Sequence, residues 1–299
     1  MSQQLRGLVP ILATPFTANG ELDLPSLRRL TEFQLTSGVS GTAVFGMASE
    51  GFALTAQERR RILATVVEVV SGAVPVVAGV NATSTVTALE QAREAADGGA
   101  TTLMVLPPFM VRPSPAQLVD FFGEVAAATD AEVMVQDAPG VTGVAMPVPL
   151  VAQISALSGV TSVKVEAPPT ALKVSGLRAA LPDGVAVFGG QNAQFVLDEY
   201  ARGAVGTMPA CEFPDLLGPV LAAWENGEQA KARAEFTRLL PLIVFGLQPG
   251  AAWAVHKEVL VRRGLIATAC VRRPASDLDD QARASLDTIL DDLELGVGR

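Results

Sequence analysis

The stretch Val160-Thr-Ser-Val-Lys-Val-Glu-Ala-Pro-Pro169 decides the fold, because it combines a short apolar run with a charged pair. Its valines indicate a buried strand, of the kind found in parallel sheets covered on both faces. Lys164 lies within this run, where desolvation disfavours a charged amine, and a neutral lysine amine forms Schiff bases with ketones. Because strand side chains alternate, Glu166 faces the same side as Lys164. The stretch therefore predicts either a reactive lysine with an acid–base partner or a strand-end ion pair.

The same kind of short apolar run recurs eight times along the chain, and longer amphipathic segments separate the runs. Eight strands that alternate with helices predict an α/β fold, a parallel (β/α)8 TIM barrel. A doubly wound open sheet is the alternative, but it needs a switch point, and no GxGxxG follows the first strand. The predicted strands cover residues 8–14, 42–45, 75–80, 102–106, 132–136, 161–165, 185–188 and 205–208.

The barrel is predicted to occupy residues 1–225, and residues 226–299 are predicted to form a C-terminal helical extension. This extension is too long for a tail and too short for a second domain with its own core. We therefore expect it to pack on the barrel or at a subunit interface. Its predicted helices cover 229–240, 251–263 and 276–293, with breaks at Pro241, Pro249 and Pro274.

Composition and charge exclude several classes of function. A net charge of −9 argues against nucleic acid and anionic membrane surfaces as partners. No apolar segment approaches the roughly 20 residues of a membrane span. The two cysteines, Cys211 and Cys270, have no CxxC spacing, which is typical of a protein of the reducing cytoplasm. We therefore expect a cytoplasmic protein.

The chain contains one histidine, His256, and one tyrosine, Tyr200. A single histidine argues against a catalytic zinc site. Both residues fall in helical segments away from the predicted strand ends, where barrel enzymes carry their functional groups. A structural role is therefore favoured for both.

The predicted strand ends carry several polar groups that Lys164 would meet at one end of the barrel. The loop Gly46–Gly51 offers backbone N–H groups and the Ser49 hydroxyl to a carboxylate, although it also fits an ordinary turn. Gly189-Gly190 fits either close approach of a ligand or a plain turn. Asp137 precedes Ala-Pro and is either a turn residue or a catalytic acid.

In order along the chain, these strand ends resemble the dihydrodipicolinate synthase / N-acetylneuraminate lyase superfamily of Schiff-base aldolases and dehydratases. The resemblance covers essentially the whole chain and rests on eight marks in the right order, none of them specific alone. The marks include Ala13-Thr-Pro-Phe16, Gly46-x-x-x-Glu50, Pro107-Pro-Phe109 with Arg112-Pro-Ser114, Asp137-x-Pro-x-x-Thr-Gly143, Lys164 and Phe188-Gly-Gly190. The resemblance implies a homotetramer without metal or organic cofactor, in which Lys164 condenses with the 2-oxo group of a pyruvate-like substrate.

Five positions depart from the synthase pattern. Met47 and Ala48 replace a pair of threonines, and Gln136 replaces the proton-relaying tyrosine of strand five. Phe109 lacks the hydroxyl of the neighbouring relay aromatic, and Val141 replaces the arginine that holds the second substrate. Because a glutamine cannot act as a general acid or base near neutral pH, these departures argue against synthase activity.

The segments Val135–Pro139 and Lys164–Pro168, with the pair Ser49-Glu50, are more similar to the branch that dehydrates 2-keto-3-deoxy sugar acids. The resemblance implies dehydration of L-2-keto-3-deoxyarabonate to a semialdehyde. An aldolase or synthase acting on pyruvate, and a barrel that has lost catalysis, are the alternatives. The candidate catalytic residues are Lys164, Glu166, Glu50 and Gln136, with Glu166 ranked before Glu50 for proton transfer. The candidate substrate-binding residues are Met47, Ala48, Ser49, Phe109, Asp137, Gly190 and Met208.

Overall fold

The computed structural model describes residues 5–295, and within that range eight parallel strands form one sheet. The strands are β1 (Gly7–Leu8), β2 (Thr42–Val44), β3 (Val76–Val80), β4 (Thr102–Val105), β5 (Glu132–Asp137), β6 (Val160–Val165), β7 (Ala186–Gly189) and β8 (Gly206–Thr207). Neighbours in sequence are neighbours in the sheet from β2 to β8, and β1 pairs with β8. The sheet closes where Ile11 bridges Ala43. The predicted (β/α)8 barrel is confirmed.

Helices surround the barrel and continue beyond it. They are α1 (Leu24–Thr36), α2 (Ala56–Val70), α3 (Thr85–Asp97), α4 (Pro115–Ala127), α5 (Pro139–Thr142), α6 (Val148–Ser155), α7 (Thr170–Ala180), α8 (Val196–Ala201), α9 (Pro214–Glu225), α10 (Gln229–Phe245), α11 (Ala252–Arg262) and α12 (Asp280–Asp292). Helix α2 begins with a capping box, in which the Thr55 side chain accepts from the Glu58 amide while the Glu58 carboxylate accepts from the Thr55 amide.

Two sequence predictions about these elements are wrong. The first strand was expected over residues 8–14, but regular pairing stops at Leu8, since Pro10 has no N–H to give to a strand ladder. A helix break was expected at Pro241, yet α10 continues to Phe245. Leu242 and Ile243 are fully buried, so tertiary packing of the last turn offsets the hydrogen bond that the proline removes.

The C-terminal helices pack directly on the barrel. α9 ends at Glu225 and α10 begins at Gln229, and α10 packs along α9. Apolar side chains of α9 to α12 form one buried cluster with residues that include Leu8 and Phe213. α11 reaches the short 3₁₀ helix Met47–Ser49 that follows β2. The described residues leave out 1–4, at the start of the predicted barrel segment, and 296–299, at the end of the predicted C-terminal extension.

Candidate active site

Lys164 lies near the carboxyl end of β6, beside Gln136 of β5 and Phe188 of β7 in the strand register. Its side chain is only 4% exposed. It lines a cavity of about 270 Å³ at the end of the barrel where the βα loops meet. The strand position predicted for Lys164 is therefore confirmed, and its side chain opens on a space large enough for a small molecule.

Glu166 shares this cavity and lies 3.3 Å from the Lys164 amine through Oε1. Gln136 Nε2 donates to Glu166 Oε2 at 2.6 Å, and the backbone N–H of Gln191 donates to Glu166 Oε1 at 3.3 Å. Burial alone would raise the pKa of Glu166, but the charge on Lys164 and these hydrogen bonds outweigh it, so the pKa lies below its ordinary value. Glu166 is therefore held as a carboxylate beside the amine.

Gly190 makes room for this carboxylate. A Cβ at position 190 would lie 2.4 Å from Glu166 Cγ, closer than any real contact. Sequence reasoning assigned Gly190 to substrate binding, but the structure places it against Glu166 instead. The residue shapes the site by leaving space for its acid.

The loop after β2 contributes one wall of the cavity through two of the four residues predicted there. Met47 and Ala48 line the cavity, and as the first residues of a 3₁₀ helix their N–H groups have no partner within that helix. The Ser49 hydroxyl instead donates to the Leu12 carbonyl at 2.6 Å. Glu50 adopts a left-handed conformation at φ 52° and pairs with buried Lys257. The predicted roles of Ser49 in carboxylate binding and of Glu50 in proton transfer are not supported.

Of three further candidates, one lies at the cavity. Met208 lines it. Asp137 is fully buried, 2.8 Å from Lys173, and its burial raises its pKa although Lys173 opposes the shift. Phe109 is half-buried, and neither it nor Asp137 contributes to the cavity wall. The predicted substrate contacts of Asp137 and Phe109 are therefore corrected.

A second carboxylate lies behind the site. Glu199 on α8 is fully buried, and a Cβ at Gly189 would lie 1.9 Å from its Oε2. Burial raises the pKa of Glu199 to about 7; the nearby Thr170 hydroxyl opposes this rise, and the charge of Glu166 adds to it. The pair Gly189-Gly190 thus admits two acids, Glu166 at the cavity and Glu199 sealed from it.

The wall that sequence reasoning missed comes from the C-terminal extension. Residues 246–250, Ala252 and Trp253 line the cavity, and the Trp253 indole donates to the Met47 carbonyl at 2.6 Å. His256 on α11 also lines the cavity, so the prediction that it lies away from the site is wrong. Tyr200 is half-buried in α8 and does not contribute to the wall. Only the Gly-Leu-Gln-Pro-Gly turn at 246–250 marked this segment in the sequence.

Two features are absent from residues 5–295. No group of three or more His, Cys, Asp and Glu side chains in that range is arranged to hold a metal ion. No helix in the same range combines the length and apolarity needed to cross a membrane.

Fold and site together define a class of protein, a (β/α)8 barrel with a lysine–glutamate pair in a pocket at the carboxyl ends of its strands. Residues 4–293 match the dihydrodipicolinate synthetase family, and the chain belongs to that family. It is accordingly a lyase of this family, and the resemblance noted in the sequence is confirmed.

Relatives with two different activities are similar to the chain. An L-2-keto-3-deoxyarabonate dehydratase of Azospirillum brasilense is 33% identical over 287 residues, covering 94% of this chain and 92% of that protein. A 4-hydroxy-tetrahydrodipicolinate synthase of Exiguobacterium sibiricum is 36% identical over 209 residues, covering 70% and 71%. A family member from Escherichia coli K12, solved in complex with pyruvate, aligns with a TM-score of 0.91 at 26% identity, covering 98% and 100%.

Proposed function

We propose that the chain is a Schiff-base-forming dehydratase of 2-keto-3-deoxy sugar acids, with L-2-keto-3-deoxyarabonate as the substrate. The observation that carries this proposal is the Lys164–Glu166 pair, in which an amine and a carboxylate 3.3 Å apart open on one cavity. A ketone that enters the cavity meets a nucleophile and a base together.

The proposed reaction begins when Lys164 attacks the C2 carbonyl and water leaves to form an iminium. The iminium is the electron sink, so the proposed chemistry requires no metal or organic cofactor. The Glu166 carboxylate removes a proton from C3, the C4 hydroxyl leaves as water, and hydrolysis of the Schiff base frees the semialdehyde. Backbone N–H groups of Met47 and Ala48 are the donors that we assign to the C1 carboxylate.

Two side chains favour the dehydratase over the synthase. Val141 lines the cavity where the synthase pattern has an arginine, so no cation meets a second carboxylate at this position. Gln136 donates to Glu166 and cannot relay protons as the tyrosine of the synthase pattern would. The 33% identity to the Azospirillum brasilense dehydratase over 94% of the chain supports the same assignment.

A product assay tests the proposal against an aldolase. Incubation with L-2-keto-3-deoxyarabonate, followed by NMR, is expected to give 2-oxoglutarate semialdehyde. Release of pyruvate and glycolaldehyde would identify an aldolase instead. Turnover of pyruvate with aspartate semialdehyde, without any dehydration, would identify a synthase and overturn the proposal. Lys164→Met is the control for background reaction.

The assembly implied by the family resemblance is a homotetramer, and we include it in the proposal. Sedimentation velocity of the purified chain tests it directly. A monomer at micromolar concentration would contradict it.

A further inference from the structure

The cavity wall contains a second acid–base side chain besides Lys164 and Glu166, the imidazole of His256. His256 Nδ1 lies 2.7 Å from Glu212 Oε1, and both side chains are buried, at 7% and 0% exposure. Glu212 follows β8, whereas His256 belongs to α11, so the pair joins the barrel to the C-terminal extension. Only the histidine of this pair lines the cavity.

The imidazole ring is held in one orientation. Glu212 engages Nδ1, and a Cβ at Gly246 would lie 2.9 Å from His256 Cε1, so backbone packs against that edge. Arg263 fixes Glu212 in turn, because its guanidinium donates to the Glu212 carbonyl while it forms a bidentate pair with Asp215. A carboxylate at Nδ1 selects the tautomer that carries hydrogen there. The remaining nitrogen, Nε2, has no hydrogen-bond partner among residues 5–295 and belongs to a residue of the cavity wall.

The proposed dehydration needs proton transfers at both ends of the substrate. The aldehyde of the product is C5, so a hydrogen must leave C5 and another must be added at C4. One acid–base group beside C2 and C3, which is the position of Glu166, serves only the first half of this sequence. A second group is required at the distal end.

We infer that His256, oriented by Glu212, is the catalytic acid and base that acts on C4 and C5 of the substrate. This inference rests on the proposed function and extends it to a second residue that lines the same cavity. Glu212 is a positioning residue, since it touches the imidazole and does not line the cavity.

The reaction steps balance when Glu166 and His256 are the two acid–base groups. Glu166 takes a proton from C3 of the iminium and leaves an enamine. Protonated His256 gives its Nε2 proton to the C4 hydroxyl, which leaves as water, and the enamine electrons form the C3–C4 double bond. Neutral His256 then removes a C5 proton to give a dienamine enol, and Glu166 returns its proton to C3. The imidazolium protonates C4 as the enol hydroxyl releases its proton to water, a proton from water restores the imidazolium, and the net loss is one water.

The variant His256→Gln separates this role from a structural one. We expect dehydration to fall about 10²-fold, the usual contribution of one acid–base group. Borohydride trapping of pyruvate on Lys164 and exchange of the pyruvate methyl hydrogens in D2O are expected to stay within about threefold of wild type, because pyruvate has no C4. Unreacted substrate is expected to gain deuterium at C3, since C3 deprotonation continues while elimination is blocked.

Two further variants keep the test decisive. Glu212→Gln retains the volume and a hydrogen bond to the ring, and it is expected to lower dehydration about tenfold with pyruvate exchange unchanged. It serves in place of His256→Gln if thermal unfolding shows that the histidine variant does not fold. Glu258→Gln is the matched control, because Glu258 lies on the same helix and pairs with Arg283 instead of facing the cavity.

The outcomes are distinct. Dehydration by His256→Gln within threefold of wild type, or an equal loss of dehydration and pyruvate exchange, overturns the role of His256 and leaves the proposed function standing. A wild-type protein that traps pyruvate but releases no semialdehyde overturns the proposed function, and the role of His256 falls with it.

Discussion

Two largely buried lysine–glutamate pairs occur among residues 5–295, and only one of these two opens on a cavity. Lys164 and Glu166 have side chains that are 4% and 18% exposed at the carboxyl end of the barrel. Lys257 and Glu50 are sealed, at 1% and 0%, between the loop after β2 and the C-terminal extension. Lys257 also donates to the Cys270 carbonyl at 2.7 Å and lies 4.1 Å from the centre of the Phe16 ring. Glu50 Oε2 accepts from the Arg272 amide at 2.7 Å.

The difference lies in what remains for a ligand to bind. The charges of Lys257 and Glu50 are met by other groups of the protein, so this pair ties the extension to the barrel. The amine of Lys164 pairs with one carboxylate and otherwise borders the cavity, so it remains free to react with a ligand. A buried ion pair is therefore a site only where it borders open space.

The largest effect is expected from Lys164→Met. Removal of the nucleophile should lower turnover of L-2-keto-3-deoxyarabonate on the order of 10³-fold or more. Steady-state kinetics measure the loss, and circular dichroism checks that the barrel is intact. Turnover above one tenth of wild type, roughly 1.4 kcal/mol in the barrier, would contradict the role of Lys164.

Lys257→Met should instead change stability. It leaves the Glu50 carboxylate buried without its cation, which costs about 3–5 kcal/mol. Urea unfolding measures the free energy of unfolding, and Arg28→Met is the matched control, because its pair with Glu68 is exposed and an exposed ion pair adds little to stability. A loss below 1 kcal/mol for Lys257→Met would show that the sealed pair does not hold the extension.

Glu166→Gln tests the partner of the reactive lysine. Schiff-base formation with pyruvate should persist, while exchange of the methyl hydrogens in D2O falls about 10²-fold because the base is lost. The pKa of Glu166 lies below its ordinary value, so the wild-type carboxylate stays ionised at mildly acidic pH. Exchange of the methyl hydrogens in wild type is therefore lost only as pH falls through that lowered pKa. Unchanged exchange in the variant would assign the base to another group.

The smallest effect concerns the sealed acid behind the site. The pKa of Glu199 is about 7 when folded and near 4.5 when unfolded, so the folded state binds the proton more tightly. Its contribution to stability is present below pH 4.5 and is lost as pH rises through 7, up to about 3 kcal/mol. Glu199→Gln should therefore be more stable than wild type at pH 8, with a smaller gap at pH 5. Equal urea midpoints at both pH values would refute this.

Local pattern predicted the part of the site that lies on one strand. The valines around Lys164 marked β6, and strand alternation placed Glu166 on the same face. The prediction for Glu50 failed because its left-handed backbone turns its side chain toward Lys257. That residue lies 207 positions away, and no local pattern connects the two. The prediction for His256 failed for the same reason, since its place in the cavity wall depends on how the C-terminal extension packs on the barrel.

Borohydride trapping compares the two lysines most directly. The protein is incubated with pyruvate, reduced, digested and mapped by mass spectrometry. The predicted result is a reduced pyruvate adduct on the peptide that carries Lys164, with the Lys257 peptide unmodified. No adduct, or an adduct on Lys257, would contradict the claim that the open pair is the reactive one.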